Sequence, residues 1–134
     1  MKSERFDLGF RTLMHINEEA GRETYTSLKE ISPDFADMLI EFPFGDIYSR
    51  QQLDIRSREI ATISALTVLG YATPQLSSHI HAGLNVGLSK EEILEIIIQM
   101  SVYAGFPAAI NALSAAKGVF DERARVSEPE GNAR

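Results

Sequence analysis

TPQLSSHIHAGLNVGLSKEEILEIIIQMSVYAG, residues 73–105, decides how this chain folds. Thr73-Pro74 is a helix start, because a proline at the first helical positions gives up an amide that has no intrahelical acceptor anyway. Gly87 closes that helix. Two residues on, Ser89-Lys90-Glu91-Glu92 matches the S-x-x-E capping box, in which serine and glutamate satisfy orphan amides of a new helix. The run behind it, ILEIIIQMSVYAG, is apolar on nearly every side. A helix tolerates that only when it is buried all round or lies at a subunit interface, and we read it as the central helix. Phe106-Pro107 then opens a last helix through Leu113 and Phe120.

Upstream, LDIRSREIATISALTVLG reads as a helix started by Asp54 and stopped by Gly70, with Ile60, Ile63, Leu66, Thr67 and Gly70 on one face. Phe6, Phe10, Leu13, Met14 and Asn17 follow helical spacing, which predicts a first amphipathic helix ending near Gly21. GRETYTSLKEI favours no single element. Ser32-Pro33-Asp34 opens a short helix, SPDFADMLIEF, stopped before Pro43, and PFGDIYSR is a turn or one more short helix. Helices with short connections and no alternating strand predict an all-α fold, a single compact domain of about six helices over residues 1–123. The polar residues 124–134 are expected to be a disordered tail.

With 134 residues the chain can bury about two-thirds of its unfolded surface, enough for one core. Nineteen acids against 13 bases give a net charge of −6 with no basic stripe, which argues against a nucleic-acid partner. No apolar run approaches the roughly 20 residues of a membrane helix, and MKSERFDLGF has no signal-peptide core, so we expect no membrane partner and a cytoplasmic location. Zero cysteines exclude disulfides, thiolate metal sites and thiol redox chemistry.

Two of the three histidines stand one residue apart, at 79 and 81. On a helix they point about 160° apart, so within one chain they cannot share a site. H-x-H converges on a metal from a strand, not from a helix, and we expect no metal. With Leu76, Ile80, Gly83, Leu84 and Gly87 as the buried stripe, His79 is the half-buried histidine, and Gly83 one turn on leaves open space over its ring. It is either a proton donor or acceptor, or a core histidine satisfied by backbone carbonyls. His15 falls on the surface. Glu59 shares a face with Ile63, Leu66 and Gly70, which puts a carboxylate on the buried side. It needs a partner: Arg56 as an ion pair, or a histidine of the next helix as a proton relay.

The stretch from Leu53 to Leu113 resembles the carboxymuconolactone decarboxylase family in order, spacing and turn glycines. Its most specific pieces are H-x3-G-L-x2-G, S-K-E-E-I and Y-A-G-F-P-A-A. RFDLGFRTLM and DFADMLIEFPFGDIYSR look like the amino-terminal half of the decarboxylases, so the likeness covers about residues 5–122. A second branch, the alkylhydroperoxidase D-like proteins, carries a C-x-x-C separated by three residues from the motif histidine. Those cysteines fall at Ala72 and Gln75 here, with His79 as the histidine and Glu59 offset by one residue from that branch's relay glutamate. Peroxide reduction through a disulfide cannot run without the thiols.

The resemblance implies an all-α fold assembled as a homo-oligomer, a hexamer or trimer, and a cofactor-independent carboxy-lyase acting on a small carboxylated lactone or related acid. Loss of CO2 leaves a dienolate that needs nearby positive charge and then a proton at carbon. His79 is the expected proton donor, with Glu59 beside it. Arg50 and Arg56 are the nearest positive charges for substrate binding, joined by His81 and Tyr48, where the decarboxylases carry arginine and tryptophan. Two other functions compete: a paralogue that binds a small ligand without chemistry, and a thiol-free relative of the peroxidases.

Overall fold

In the computed structural model, which describes residues 1–127, the described chain is helical from end to end, without a strand. The first helix, α1, spans Glu4–Ile31 and starts at Ser3, whose hydroxyl accepts from the Phe6 amide. Phe6 and Tyr25 are 19 positions apart, about 28 Å along a straight helix. Their ring centroids nevertheless lie 5.7 Å apart. The helix therefore doubles back, and the break is at Asn17, whose dihedrals (φ −160°, ψ 81°) leave the helical region. The expected end near Gly21 is thus displaced by four residues, and GRETYTSLKEI is helix. Gly21 sits inside the elbow, where a Cβ would meet Leu13 Cγ at 2.7 Å. Its bareness lets one arm pack on the other.

The second helix, α2, covers Pro33–Leu39 and does not stop ahead of Pro43. It continues as a π-helical segment, Ile40–Tyr48, with the proline inside. Proline lacks a donor and crowds the carbonyl four residues back, so the wider π turns accept what would break an α-helix. This segment packs on α1 backbone to backbone: a Cβ on Gly45 would meet the Arg5 carbonyl oxygen at 2.5 Å, and one on Gly9 would collide with the Ile40 carbonyl. Lys2 and Asp37 pair at 2.7 Å and Arg5 and Asp46 at 2.6 Å. The Lys2 hydrogen bond holds the Asp37 carboxyl below the usual carboxylate range. Residues 1–58 form one compact unit, and a second begins at Glu59.

The boundary between the units falls inside α3, Ile55–Leu69, which starts where Asp54 accepts the Ser57 amide at 2.7 Å. Three helices follow: α4, Thr73–Asn85; α5, Lys90–Ala104; and α6, Phe106–Val126. Gly70 and Gly87 take φ of +78° and +106°, a region that side-chain-bearing residues resist, and so end α3 and α4. The capping box forms at the start of α5, with both reciprocal bonds at 3.1 Å. In the second unit's core, Ile63, Leu76 and Ile80 meet Ile93 and Ile97. Ala109, Ala112, Ala116 and Val119, spaced three or four apart, give α6 a flat face on which α4 and α5 lie.

The apolar-rich α5 is not enclosed as a central helix would be. Ile93 and Ile97 are buried, while Val102 and Tyr103 are 75 % and 76 % exposed, with Ile98 exposed beside them. The run carries apolar residues on two faces: one packs inward and the other faces out of this chain. At the end of the sequence, α6 continues to Val126, three residues into the expected tail, and residues 128–134 lie outside the described residues. Among the described residues no helix is long and apolar enough to cross a membrane.

Candidate active site

Because α3 and α4 lie in succession with a short connection, side chains 20 positions apart can meet, and the meeting that matters is Glu59 with His79. His79 Nδ1 is 2.9 Å from Glu59 Oε2. Glu59 is fully buried, and the imidazole is half-buried with 23 % of its side chain exposed. Of the two partners available to Glu59, Arg56 or a histidine of the next helix, this contact goes to the histidine. The other carboxylate oxygen, Oε1, is buried with no hydrogen-bond partner among the described residues. A carboxylate only accepts, so the contact puts a hydrogen on Nδ1 and makes Nε2 the nitrogen that can exchange a proton with a ligand. The contact also fixes the orientation of the ring.

His81 does what the helical geometry requires and turns the other way, toward α6. Its Nε2 lies 3.2 Å from Glu122 Oε2, and its Nδ1 lies 3.4 Å from Arg123 Nη1, which also donates to Asn85 Oδ1 at 3.1 Å. The structure therefore brings His79 together with Glu59 and sets His81 on a separate face. Glu122, Arg123 and Asn85 were not identified from the sequence. The spacing of His81 and Asn85, one turn apart, was a usable signal, but nothing local says which helix faces them.

The expected open space at Gly83 is absent. Gly83 is buried, and a Cβ there would meet Leu88 Cδ1 at 2.9 Å and Ile63 Cδ1 at 3.1 Å. The chain after α4 folds Leu88 back beneath it, so this glycine serves close packing and clears no room over the imidazole. The buried positions of α4 are Leu76, Ile80, Ala82 and Gly83, whereas Leu84 is half-buried and Gly87 exposed. His15 is on the surface, as expected.

Three other expected site residues belong to the first unit. Tyr48 ends the π-helical segment with its ring 5.3 Å from that of Phe44. Arg50 is exposed, and its carbonyl accepts from Arg58 Nη2 at 3.1 Å. Arg56 is half-buried in the first turn of α3. Among the described residues no three ligating side chains gather into a metal site.

The sequence pattern of the Carboxymuconolactone decarboxylase family matches residues 33–118. The chain belongs to that family. The match takes in both members of the His79–Glu59 pair, and the all-α fold is the family's. Among curated proteins, the chain is 32 % identical over 107 residues to the 4-carboxymuconolactone decarboxylase of Acinetobacter baylyi, covering 80 % of this chain and 79 % of the relative. It is 37 % identical over 97 residues, 72 % of each protein, to an uncharacterized 15.0 kDa protein encoded in the nqo9-nqo10 intergenic region of Paracoccus denitrificans. A nitrosuccinic acid decarboxylase of Metarhizium robertsii is 29 % identical over 77 residues, covering 58 % of this chain and 53 % of the relative.

Proposed function

We propose that this family member is a cofactor-independent carboxy-lyase that removes CO2 from a small carboxylated lactone or related acid, with His79 as the proton donor. The observation that carries this reading is the 2.9 Å contact between a half-buried imidazole and a fully buried carboxylate. Two relatives named as decarboxylases, one for a carboxylated lactone and one for nitrosuccinic acid, support the reaction type.

In this reaction the bond between the substrate carboxylate and its ring carbon breaks, its electron pair enters the conjugated lactone, and CO2 departs. The resulting dienolate takes a proton at carbon from His79 Nε2. Glu59 is the positioning group: it accepts from Nδ1, orients the ring and balances the imidazolium. His79 then regains its proton from solvent, so one turnover consumes one proton and releases one CO2. In this reading Arg50, Arg56 and Tyr48 are the candidate residues for binding the substrate's negative charge. They raise the rate only insofar as they stabilise the dienolate more than the departing carboxylate.

The same reading makes the protein a homo-oligomer, a hexamer or trimer. Ile98 of α5 lines one apolar cleft with Phe106 and Ile110 of α6, which are 73 % and 61 % exposed, a face of the kind that a partner chain covers. Light scattering tests this: a particle of one chain's mass overturns it.

Release of CO2 from 4-carboxymuconolactone, followed for the wild type and for His79→Asn, tests the chemistry. The asparagine amide can still donate to Glu59 but cannot protonate carbon. We expect turnover by the wild type and a loss of about 10²–10⁴-fold in the variant. Full activity in the variant removes His79 from the role. Saturable lactone binding by the wild type without CO2 release establishes the ligand-binding paralogue in its place.

A further inference from the structure

The α6-facing side of α4 carries a hydrogen-bonded group that the proposed chemistry leaves unused. His81 and Asn85 stand one turn apart on α4, and Glu122 and Arg123 stand side by side near the end of α6. Arg123 Nη1 donates to Asn85 Oδ1 at 3.1 Å and reaches His81 Nδ1 at 3.4 Å. A guanidinium cannot accept, so Nδ1 is the acceptor and the ring hydrogen sits on Nε2, which donates to Glu122 Oε2 at 3.2 Å. An imidazole N–H and a guanidinium are thus held in fixed directions, with the amide of Asn85 bracing the guanidinium.

Their carboxylate partner is held far less firmly. The Glu122 side chain is 60 % exposed, against 21 % for His81, and its contact with the histidine runs through one oxygen. An exposed hydrogen bond of this kind gains little, because water competes for both groups and a flexible side chain must be held still. A free carboxylate that accepts from both the imidazole and the guanidinium fork satisfies the donors better than Glu122 does. We propose that His81 and Arg123 form a recognition site for the carboxylate of a small organic acid, with Glu122 as the resident carboxylate that the ligand displaces. The site lies about 160° around α4 from His79 and does not depend on the chain being a carboxy-lyase.

The test follows the imidazole nitrogen and carbon-proton resonances of His81 by NMR as succinate is added at pH 7.5, with sodium chloride at matched ionic strength as the control. We expect a saturable shift with succinate and none of that form with chloride. Glu122→Gln removes the internal competitor and lowers the midpoint about two- to fivefold. Arg123→Gln weakens binding at least about tenfold. Arg123→Lys keeps the charge without the fork and must also weaken binding, which covers the case where the glutamine variant loosens α6. His79→Asn leaves the midpoint unchanged. A non-saturating shift that chloride reproduces, a midpoint indifferent to Glu122→Gln, or a response confined to the His79 ring overturns the proposal.

Discussion

The two faces of α4 hold two histidine–glutamate contacts of nearly the same length, 2.9 Å for His79 with Glu59 and 3.2 Å for His81 with Glu122. They differ in what surrounds the acid. Glu59 is wholly buried, whereas the Glu122 side chain is 60 % exposed. A charge removed from water depends on its partner, because nothing else compensates its lost hydration. A charge left in water has an alternative partner at every moment. The geometry of the two contacts is therefore a poor guide to their strength, and burial is a good one. The same difference separates a pair suited to hold a ring for proton transfer from one suited to exchange its carboxylate.

The largest consequence is catalytic. His79→Asn is expected to lose about 10²–10⁴-fold in CO2 release, while His81→Asn leaves the chemical step within about twofold. Equal losses from both substitutions, in a steady-state assay with saturating lactone, erase the functional distinction between the faces. Stability comes next. Removing His79 strands the buried Glu59, so His79→Ala should destabilise by about 3–5 kcal/mol, whereas His81→Ala costs about 1 kcal/mol or less in urea unfolding. A double-mutant cycle sharpens this further: the coupling of His79 with Glu59 should reach about 1–3 kcal/mol, and that of His81 with Glu122 should stay below about 1 kcal/mol.

Gly83 tests the same helix at an intermediate scale. An added Cβ would press Leu88 and Ile63, so Gly83→Ala is expected to cost about 1–3 kcal/mol by overpacking, without selective harm to lactone binding. A variant that keeps its stability but loses affinity restores the view that this glycine clears room for a ligand.

Much of the fold was legible in the residues because its signals are local. The capping box at Ser89, the helix-stopping glycines 70 and 87, and proline at the starts of α2, α4 and α6 act within one helical turn, and each is where the sequence puts it. The misreadings came where a residue type has two uses. Gly21 and Gly83 resemble a helix stop and a clearing, and both are close-packing positions whose neighbours, Leu13 and Leu88, arrive from elsewhere in the chain. Pro43 resembles a stop and lies inside a π-helical segment. The apolar α5 pattern carried both of its readings, burial and an exposed face, and only the packing of α6 on one side separated them.

For the site, the sequence by itself determined that His79 and His81 diverge, because 100° per residue is a property of any α-helix. It also determined that none of these 134 residues can supply a thiol, because none is a cysteine. Which partner each histidine meets was decided only by the tertiary structure. Glu59 had two plausible partners, and Glu122 and Arg123 gave no local sign of facing His81. A side-chain contact across 20 or 41 positions depends on how whole helices are set against one another, and that setting is the summed outcome of core packing rather than of any residue's own preference.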